Sequence, residues 1–589
     1  MPPLVVANCS GFYGDRLSAA REMVDGGPID VLTGDWLAEL TMLILAKGRA
    51  KHPAGGWART FVTQMEQVMG TCLDRNIKVV ANAGGLDPAG CADAVSQVAE
   101  RLGLHPVIAF VRGDDLLGRL DELRAAGHRL EHLDTGEPFG DRIAVTANAY
   151  LGCWGVAEAL SRGADIVITG RTTDAAIVMG PAAWRFGWER DDWDALAGAC
   201  AAGHIIECGC QATGGNYSWF EEVPGLEHPG FPIAEIAADG SCVITKHPGT
   251  GGLVSVGTVT AQLLYEIGGP RYLNPDVVAR FDTIALEQIG ADRVAVSGTR
   301  GEPAPPTLKL SINYDGGYRN SVTFRLTGLD IEAKADLVRR TFWASFPGGA
   351  AGFDFADTTV IRSDKPDPGR NEEAVAEVIV SVKDADPRKV GRAFSNVATE
   401  MALASYPGMF GRDGPGEGRA YGVLWPTLVP ADVCHSEVIV GGRVSVVDNT
   451  PPLSGAAIEA MQPHFPAAPA GPTVRAPLGR VMGGRSGDKG GNANLGVWVK
   501  TPLAFAWLRD FLTVDRLAVL FPEAREHPLE RYELPNLLAL NFVFKGLLDE
   551  GVAASVRMDA QAKGLAEYVR ARVVDIPQVL LADKSNKSP

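Results

Sequence analysis

Ser10, Asp15, Asp35, Asn82, Asp87, Asp114, Asn148, Arg171, Thr172 and Asp174 share one context: each follows a short apolar run and precedes a stretch of helical periodicity. Asp, Asn, Ser and Thr are the favoured helix caps, each worth about 1 kcal/mol, so capping accounts for any one of them. As a set they describe a candidate site. Asp15, Asp35 and Asp174 are candidate acids and bases, and Arg171 is an always-charged fork suited to a carboxylate or phosphate. Ser10, Asn82, Asn148 and Thr172 supply further polar contacts. Asp174, three residues from Arg171, either pairs with it or leaves it to a ligand; an Arg held for a ligand is expected in a wet cleft. Asn82-Ala-Gly-Gly-Leu-Asp-Pro88 is a turn whose Gly84 and Gly85 amides, at a helix start, could hold an anion.

Three further segments carry chemistry-bearing residues. His204-Ile-Ile-Glu-Cys-Gly-Cys210 opens a polar, Gly-rich loop reaching Asn216, and His204 and Glu207 are candidate acid–base groups. Its Cys-x-Cys spacing is too tight for a usual zinc knuckle. Lys246 and His247 form a basic pair before Gly249, Gly251 and Gly252, an anion-binding candidate whose bland alternative is a solvated turn. Arg485-Ser-Gly-Asp-Lys-Gly-Gly-Asn-Ala-Asn494 reads as a polar loop. Its Arg485, Ser486, Asp488 and Lys489 either bind an anion or dock onto another domain. No Gly-x-Ser-x-Gly elbow surrounds Ser486, which speaks against serine hydrolase chemistry. Neither G-x-G-x-x-G nor a P-loop occurs, so a dinucleotide is not expected. No resident cofactor is expected; the alternative is a hard divalent ion on Asp15, Asp35 and Asp174.

The elements that must position these residues follow from pattern. Leu4–Ala7, Ile29–Leu32, Lys78–Ala81, Val107–Val111, Ile143–Thr146 and Asp165–Thr169 are strand-length runs alternating with amphipathic helices. Continuous apolar strands are buried on both faces, so residues 1–200 are expected to form a Rossmann-like, doubly wound parallel sheet of an α/β protein. Residues 201–460 read as an α+β region, with hairpins at 233–245 and at 307–326. Pro466-Ala-Ala-Pro-Ala-Gly-Pro472 marks a linker over 461–473. Residues 474–584 read as a compact α+β unit, and the last six residues as a polar tail.

The bulk properties narrow the function. A chain of 589 residues needs several cores, and a net charge of −16 disfavours nucleic acid. No signal peptide and no membrane-length apolar run is read, and nine scattered cysteines fit reduced thiols. A cytoplasmic protein is expected.

Two blocks carry a resemblance. Asn8-Cys-Ser-Gly-Phe-Tyr-Gly-Asp15, Gly34-Asp35, Asn82-Ala-Gly-Gly85, Asn148-Ala-Tyr150 and Thr169-Gly-Arg-Thr-Thr-Asp174 resemble the N-terminal part of the acyclic terpene utilisation family. Arg485–Asn494 resembles the opening of that family's C-terminal ferredoxin-like domain. The resemblance implies a ferredoxin-like fold for 474–584. It also implies a place beside citronellol and geraniol degradation through CoA thioesters and a biotin-dependent acyl-CoA carboxylase. The function expected is an enzyme of branched-acid or acyl-CoA catabolism with hydratase or lyase-like chemistry. A non-catalytic partner or scaffold of the carboxylase pathway and a divalent-metal carboxylate enzyme stand as alternatives. The partners expected are a small-molecule acid or acyl-CoA, no membrane, and further copies of the chain in a homo-oligomer.

Overall fold

The computed structural model of the chain describes residues 1–411, 414, 416–448, 458–459 and 463–582. Residues 461 and 462 of the expected linker, residues 583 and 584 of the last expected domain, and the rest of the polar tail lie outside the described residues.

The strands are Leu4–Asn8 (β1), Val31–Gly34 (β2), Lys78–Ala81 (β3), Ile108–Arg112 (β4), Ala144–Ala149 (β5) and Ile166–Thr169 (β6). The helices between and after them are Ala19–Asp25 (α1), Glu39–Lys51 (α2), Arg59–Asp74 (α3), Pro88–Leu102 (α4), Leu120–Ala125 (α5), Trp154–Ser161 (α6), Ala176–Phe186 (α7) and Trp193–Ile206 (α8). Five strands form a parallel core in the order β1-β2-β3-β6-β4. The sixth corrects the expectation: β5 leaves this sheet and pairs with the strand Thr307–Thr327. Its buried Thr146 and Asn148 take their partners from Asn313 and Asp114 rather than from an apolar helix layer.

Alternate residues of the parallel strands feed two separate cores. Val6, Val31, Val80 and Val167 join α6, α7 and α8 through Val156, Ile177 and Leu196. Ala7, Leu32, Val79 and Ile168 join α1, α3 and α4 through Met23, Phe61 and Val95. Each fully buried Val, Leu or Phe contributes about 1.5–3 kcal/mol, so both faces resist unzipping of the strand ends.

The chain after residue 200 extends the same sheet. Pro232–Ile236 (β7) and Cys242–Lys246 (β8) form the expected hairpin, and β7 adds antiparallel to β1. Strands Arg293–Ser297 and Ala285–Gly290 continue beyond β8, and His435–Val440 and Arg443–Asp448 extend the β4 side, giving eleven strands among the described residues. The hairpin expected over 307–326 is instead one strand, Thr307–Thr327. Gly317, at φ +85°, absorbs a local distortion there without reversing the chain.

Residues 314–423 form a compact unit of their own. Within it, Val375–Asp384 pairs antiparallel with Tyr318–Thr327 and with Phe355–Ile361. Phe342 and Phe394 of two helices fill its core.

The C-terminal sheet is antiparallel, in the order Gly483–Lys489, Asn492–Trp498, Ala539–Phe544, Leu529–Leu534. Leu495, Phe505, Leu508 and Phe542 fill its core. The segment 485–494 is therefore not a loop but a hairpin. Its reversal falls at Gly490, at φ +63°, which leaves the flanking polar residues free to form ladder hydrogen bonds. Two buried asparagines fasten this sheet to the segment 264–268. Asn494 Oδ1 accepts from the Glu266 amide (2.8 Å) and its Nδ2 donates to Leu264 O (3.0 Å), while Asn541 Nδ2 donates to Ile267 O (3.2 Å).

Asn494→Ala leaves that amide and carbonyl buried without partners. A loss of about 1–3 kcal/mol is expected in equilibrium denaturation. A loss of a few tenths would show that the clasp does not hold the C-terminal sheet.

Candidate functional site

In open parallel sheets ligands bind beyond the carboxyl ends of the strands. Here the ends of β2, β3, β4 and β6 place Asp35, Asn82, Asp114 and Arg171 along one edge. Asn82 Nδ2 donates to Asp35 Oδ1 at 2.6 Å, and Asn82 Oδ1 accepts from the Trp36 amide at 2.8 Å. Asp114 Oδ2 accepts from Asn148 Nδ2 (2.8 Å) and from the Arg171 amide (2.9 Å). Gly170 permits this junction, since a Cβ there would stand 2.3 Å from Asp114 Oδ1.

Arg171 is the centre of the edge. Its side chain is 3% exposed, so the wet cleft expected for it is not what surrounds the guanidinium. Nη1 donates to Leu37 O (2.7 Å) and to Asp174 Oδ1 (2.9 Å), and the guanidinium carbon lies 4.1 Å from the Tyr150 ring centroid. Nε has no partner among the described residues. Behind Tyr150 sits a charge pair that the strand-end pattern does not signal. Glu39, in the first turn of α2, accepts from Tyr150 Oη (2.7 Å) and from Lys309 Nζ (2.8 Å). Lys309 lies on a strand far away in sequence, so no local spacing marks it.

The expected loop at 204–216 begins as helix. His204 lies in the last turn of α8, and Glu207 follows the helix end. Gly203 lets α8 approach the residue before α7, where a Cβ would meet Ala175 at 2.8 Å. That contact brings His204 and Glu207 beside Asp174. His204 packs against Tyr272 and Phe281 at 4.9 and 5.4 Å. Its Nδ1 stands 3.2 Å from Glu207 Oε1 without hydrogen-bonding geometry. Glu207 Oε2, Asn148 Oδ1, and the Thr172 and Thr173 hydroxyls are buried without partners among the described residues.

The C-terminal hairpin closes over this floor. Arg485 bonds Gln211 and lies 4.4 Å over the Tyr265 ring. Ser486 Oγ accepts from the Ala566 amide, which makes it structural. Asp488 pairs with Lys563 (3.2 Å), Lys563 also bonds Tyr265 Oη, and Lys489 Nζ donates to Glu266 O (3.0 Å). Tyr265, Glu266 and Lys563 had no motif to announce them.

Other candidates do not join the cluster. Ser10 Oγ donates to Phe12 O, and Asp15 accepts from the Gly11 and Arg16 amides, so both hold their own loop. The Gly84 and Gly85 amides donate to Thr169 O and Asn82 O and are committed to the fold. Lys246 pairs with Asp292 and Thr250 O, and His247 bonds Met23 O. Among the described residues, no group of three or more His, Cys, Asp or Glu is arranged to hold a metal ion. Two shallow surface depressions, over Gln578–Ala582 and beside Trp154 and Trp184, share no residue with the cluster.

The electrostatics separate the carboxylates into two classes. Burial and the neighbouring Asp174 push Asp35 and Glu207 well above the usual range. Burial also raises Glu39, but Lys309 and Arg171 outweigh it and hold Glu39 below the ordinary value. Burial pushes the His204 imidazole down to about 4, so it is neutral at pH 7. Burial raises Asp114 to about 7 despite the hydrogen bonds it accepts from Arg171 and Asn148.

For Asp114 the native state holds its proton longer than the unfolded chain. The associated stability is therefore complete at low pH and is lost as pH rises toward about 7. Asp114→Asn keeps an acceptor for both donors and removes the ionisation. It should match the wild type near pH 4 and exceed it at pH 8 by roughly 1–4 kcal/mol, measured by urea denaturation at both pH values. An equal difference at both pH values would show that Asp114 ionises like an exposed carboxylate.

The family model for acyclic terpene utilisation family protein AtuA matches residues 4–440, and the AtuA ferredoxin-like domain model matches residues 476–575. The first match takes in the whole strand-end edge, and the second takes in the hairpin that covers it. Comparison with curated proteins and with solved structures gives no match. The chain belongs to the acyclic terpene utilisation family.

Proposed function

We propose that this chain is an enzyme acting on a small branched acid, free or as its CoA thioester, by hydration, dehydration or C–C cleavage. One observation carries the reading. Among the described residues, Arg171 Nε, the Thr172 and Thr173 hydroxyls and Glu207 Oε2 are buried without hydrogen-bond partners in neighbouring segments. Leaving a polar group unpaired costs about 1–3 kcal/mol, and a scaffold gains nothing from several in one place. A ligand with an anionic oxygen and a second polar group would satisfy them.

In this reading Arg171 receives the carboxylate or the thioester oxygen and offsets the negative charge that develops as a carbon acid is deprotonated. Glu207, whose burial favours its neutral form, delivers a proton to the leaving hydroxyl or carbon. Asp174, 29% exposed and 2.9 Å from Arg171, is the facing carboxylate that accepts one. Glu39, held ionised by Lys309, fixes the Tyr150 ring on which the guanidinium lies. The two-faced sheet that carries these groups is read as Rossmann-like and doubly wound, and the protein as cytoplasmic.

A thermal-shift panel of short branched acids and their CoA thioesters tests this, since a ligand that binds only the folded state raises Tm. Arg171→Lys keeps the charge but loses the fork, and is expected to abolish the shift given by the best ligand. Glu207→Gln is expected to keep that shift and lose turnover. A panel with no shift, or an Arg171→Lys variant with an unaltered one, removes the anion-anchor role.

A further inference from the structure

Arg171 is buried, yet an acid must reach it. One part of the wall around it is held differently from the rest. α2 roofs the guanidinium: Leu37, just before the helix, gives the carbonyl that Nη1 binds, and Glu39 in its first turn binds Tyr150 and Lys309. The helices α1, α3 and α4 belong to one core of the sheet, and α6, α7 and α8 to the other. No residue of α2 belongs to either. Leu37, Met42 and Leu45 instead form a small cluster of their own with Tyr13 and Leu86, and Thr41 and Leu43 are buried where α2 packs on β5. The helix also has little stability of its own. Ala38 stands at its N-cap with no side-chain acceptor, Gly48 interrupts it with nothing packed beside it, and Ile44 is exposed. The two flanks, in contrast, are fixed. Trp36 is buried, with its amide on Asn82 and its indole N–H on Thr60. Gly56 O accepts from the Leu86 amide at 2.8 Å, and its φ of +114° is one that only glycine adopts freely. The C-terminal hairpin also covers the floor, but it rests on a full core and on the Asn494 and Asn541 clasp.

We propose that residues 37–55 are a lid over Arg171, hinged at Trp36 and Gly56 and latched by Glu39. This rests on reading Arg171 as the anion anchor. Shut, the latch joins one carboxylate to the Lys309 ammonium and to the Tyr150 hydroxyl. Lys309 holds Glu39 ionised, so the latch keeps its full charge at neutral pH. Lys309 and Glu39 are 31% and 28% exposed, so water replaces each partner as the lid lifts. Lifting takes Leu37 O away from Nη1. It uncovers Arg171 and Lys309 together, two cations that share the Tyr150 ring. An acid that enters meets both. The shut form is the major one, because it satisfies a guanidinium that cannot shed its proton. The lid reconciles a buried Arg171 with a ligand role: the anchor is reached through the minor form and enclosed again in the major one.

Hydrogen exchange of the full-length protein, read by peptide mass spectrometry, tests this without a ligand. The amides of α2 are expected to exchange at least roughly a hundredfold faster than those of α3 and α4, which the sheet core grips. Glu39→Gln keeps the shape of the side chain and removes its charge. It is expected to speed exchange over 39–51 by roughly tenfold or more and to leave α3 and α4 unchanged. Lys309→Met is expected to act in the same way, and the double variant no more strongly than either alone, because both break one latch. Phenylglyoxal modifies accessible guanidinium groups. Its rate at Arg171 is expected to rise in Glu39→Gln by the same factor as exchange. Exchange in α2 as slow as in α3 and α4, a Glu39→Gln variant that loosens all three helices alike, or an Arg171 modification rate indifferent to the latch overturns the lid. The acid and thioester panel separates the two ideas. An acid that raises Tm while α2 exchanges no faster than its neighbours removes the lid and keeps the anchor. Fast, latch-dependent exchange in α2 with no acid bound keeps the lid and removes the acid-binding reading.

Discussion

A guanidinium buried at a strand end cannot shed its charge, and the site of this protein is built around that constraint. Arg171 needs counter-charge and acceptors within reach, and it takes them from separate parts of the chain. Leu37 gives a carbonyl from the loop before α2, Asp174 a carboxylate from its own loop, and Tyr150 a ring face. Glu39 and Lys309 then hold Tyr150. Displacing any of them leaves a buried charge less compensated, which costs several kcal/mol. The constraint therefore ties the end of β6, the start of α2, the end of β5 and the strand Thr307–Thr327 into one rigid wall.

The same wall sets the charge states around it. One cation satisfies only the nearest acids, so the carboxylates beyond it carry the cost of burial themselves. Glu39, paired directly with Lys309, stays ionised. Asp35 and Glu207 are pushed toward their neutral forms. Environments that drive like groups apart in this way are how one cleft holds an acid and a base at one pH. The C-terminal sheet completes the arrangement from above, clasped by Asn494 and Asn541 to the segment that carries Tyr265 and Glu266. That clasp fixes how closely the Asp488–Lys489 corner approaches the floor.

Several misreadings share a cause. The segment at His204 has the Gly and polar content of a loop, yet its first three residues belong to α8, because Gly198 and Gly203 let that helix pack closely against Gly240 and Ala175. The segment at Arg485 has equal loop character, yet it is a hairpin, because its polar side chains find partners on Gln211, Tyr265 and Lys563. In both places composition described the surface each segment would have had alone, while the contacts came from elsewhere. The Gly84–Gly85 turn errs in the opposite direction: its amides face inward to Thr169 and Asn82, so local donors did not become a binding site.

The sequence by itself determined the parallel strands and the polar residues at their ends. An uninterrupted run such as Ile166–Thr169 has nowhere to go but between two layers of helix, and the residue after it must then face the sheet edge. Asp35, Asn82 and Arg171 were legible for that local reason, and Glu207 through the acid–base types around it. Only the tertiary structure decided that β5 leaves the sheet, that Lys246 and His247 serve the fold, and that Glu39 and Lys309 meet behind Tyr150. Those two lie 270 residues apart, on a helix and a strand. Their convergence depends on which faces pack together, and no spacing along the chain encodes it.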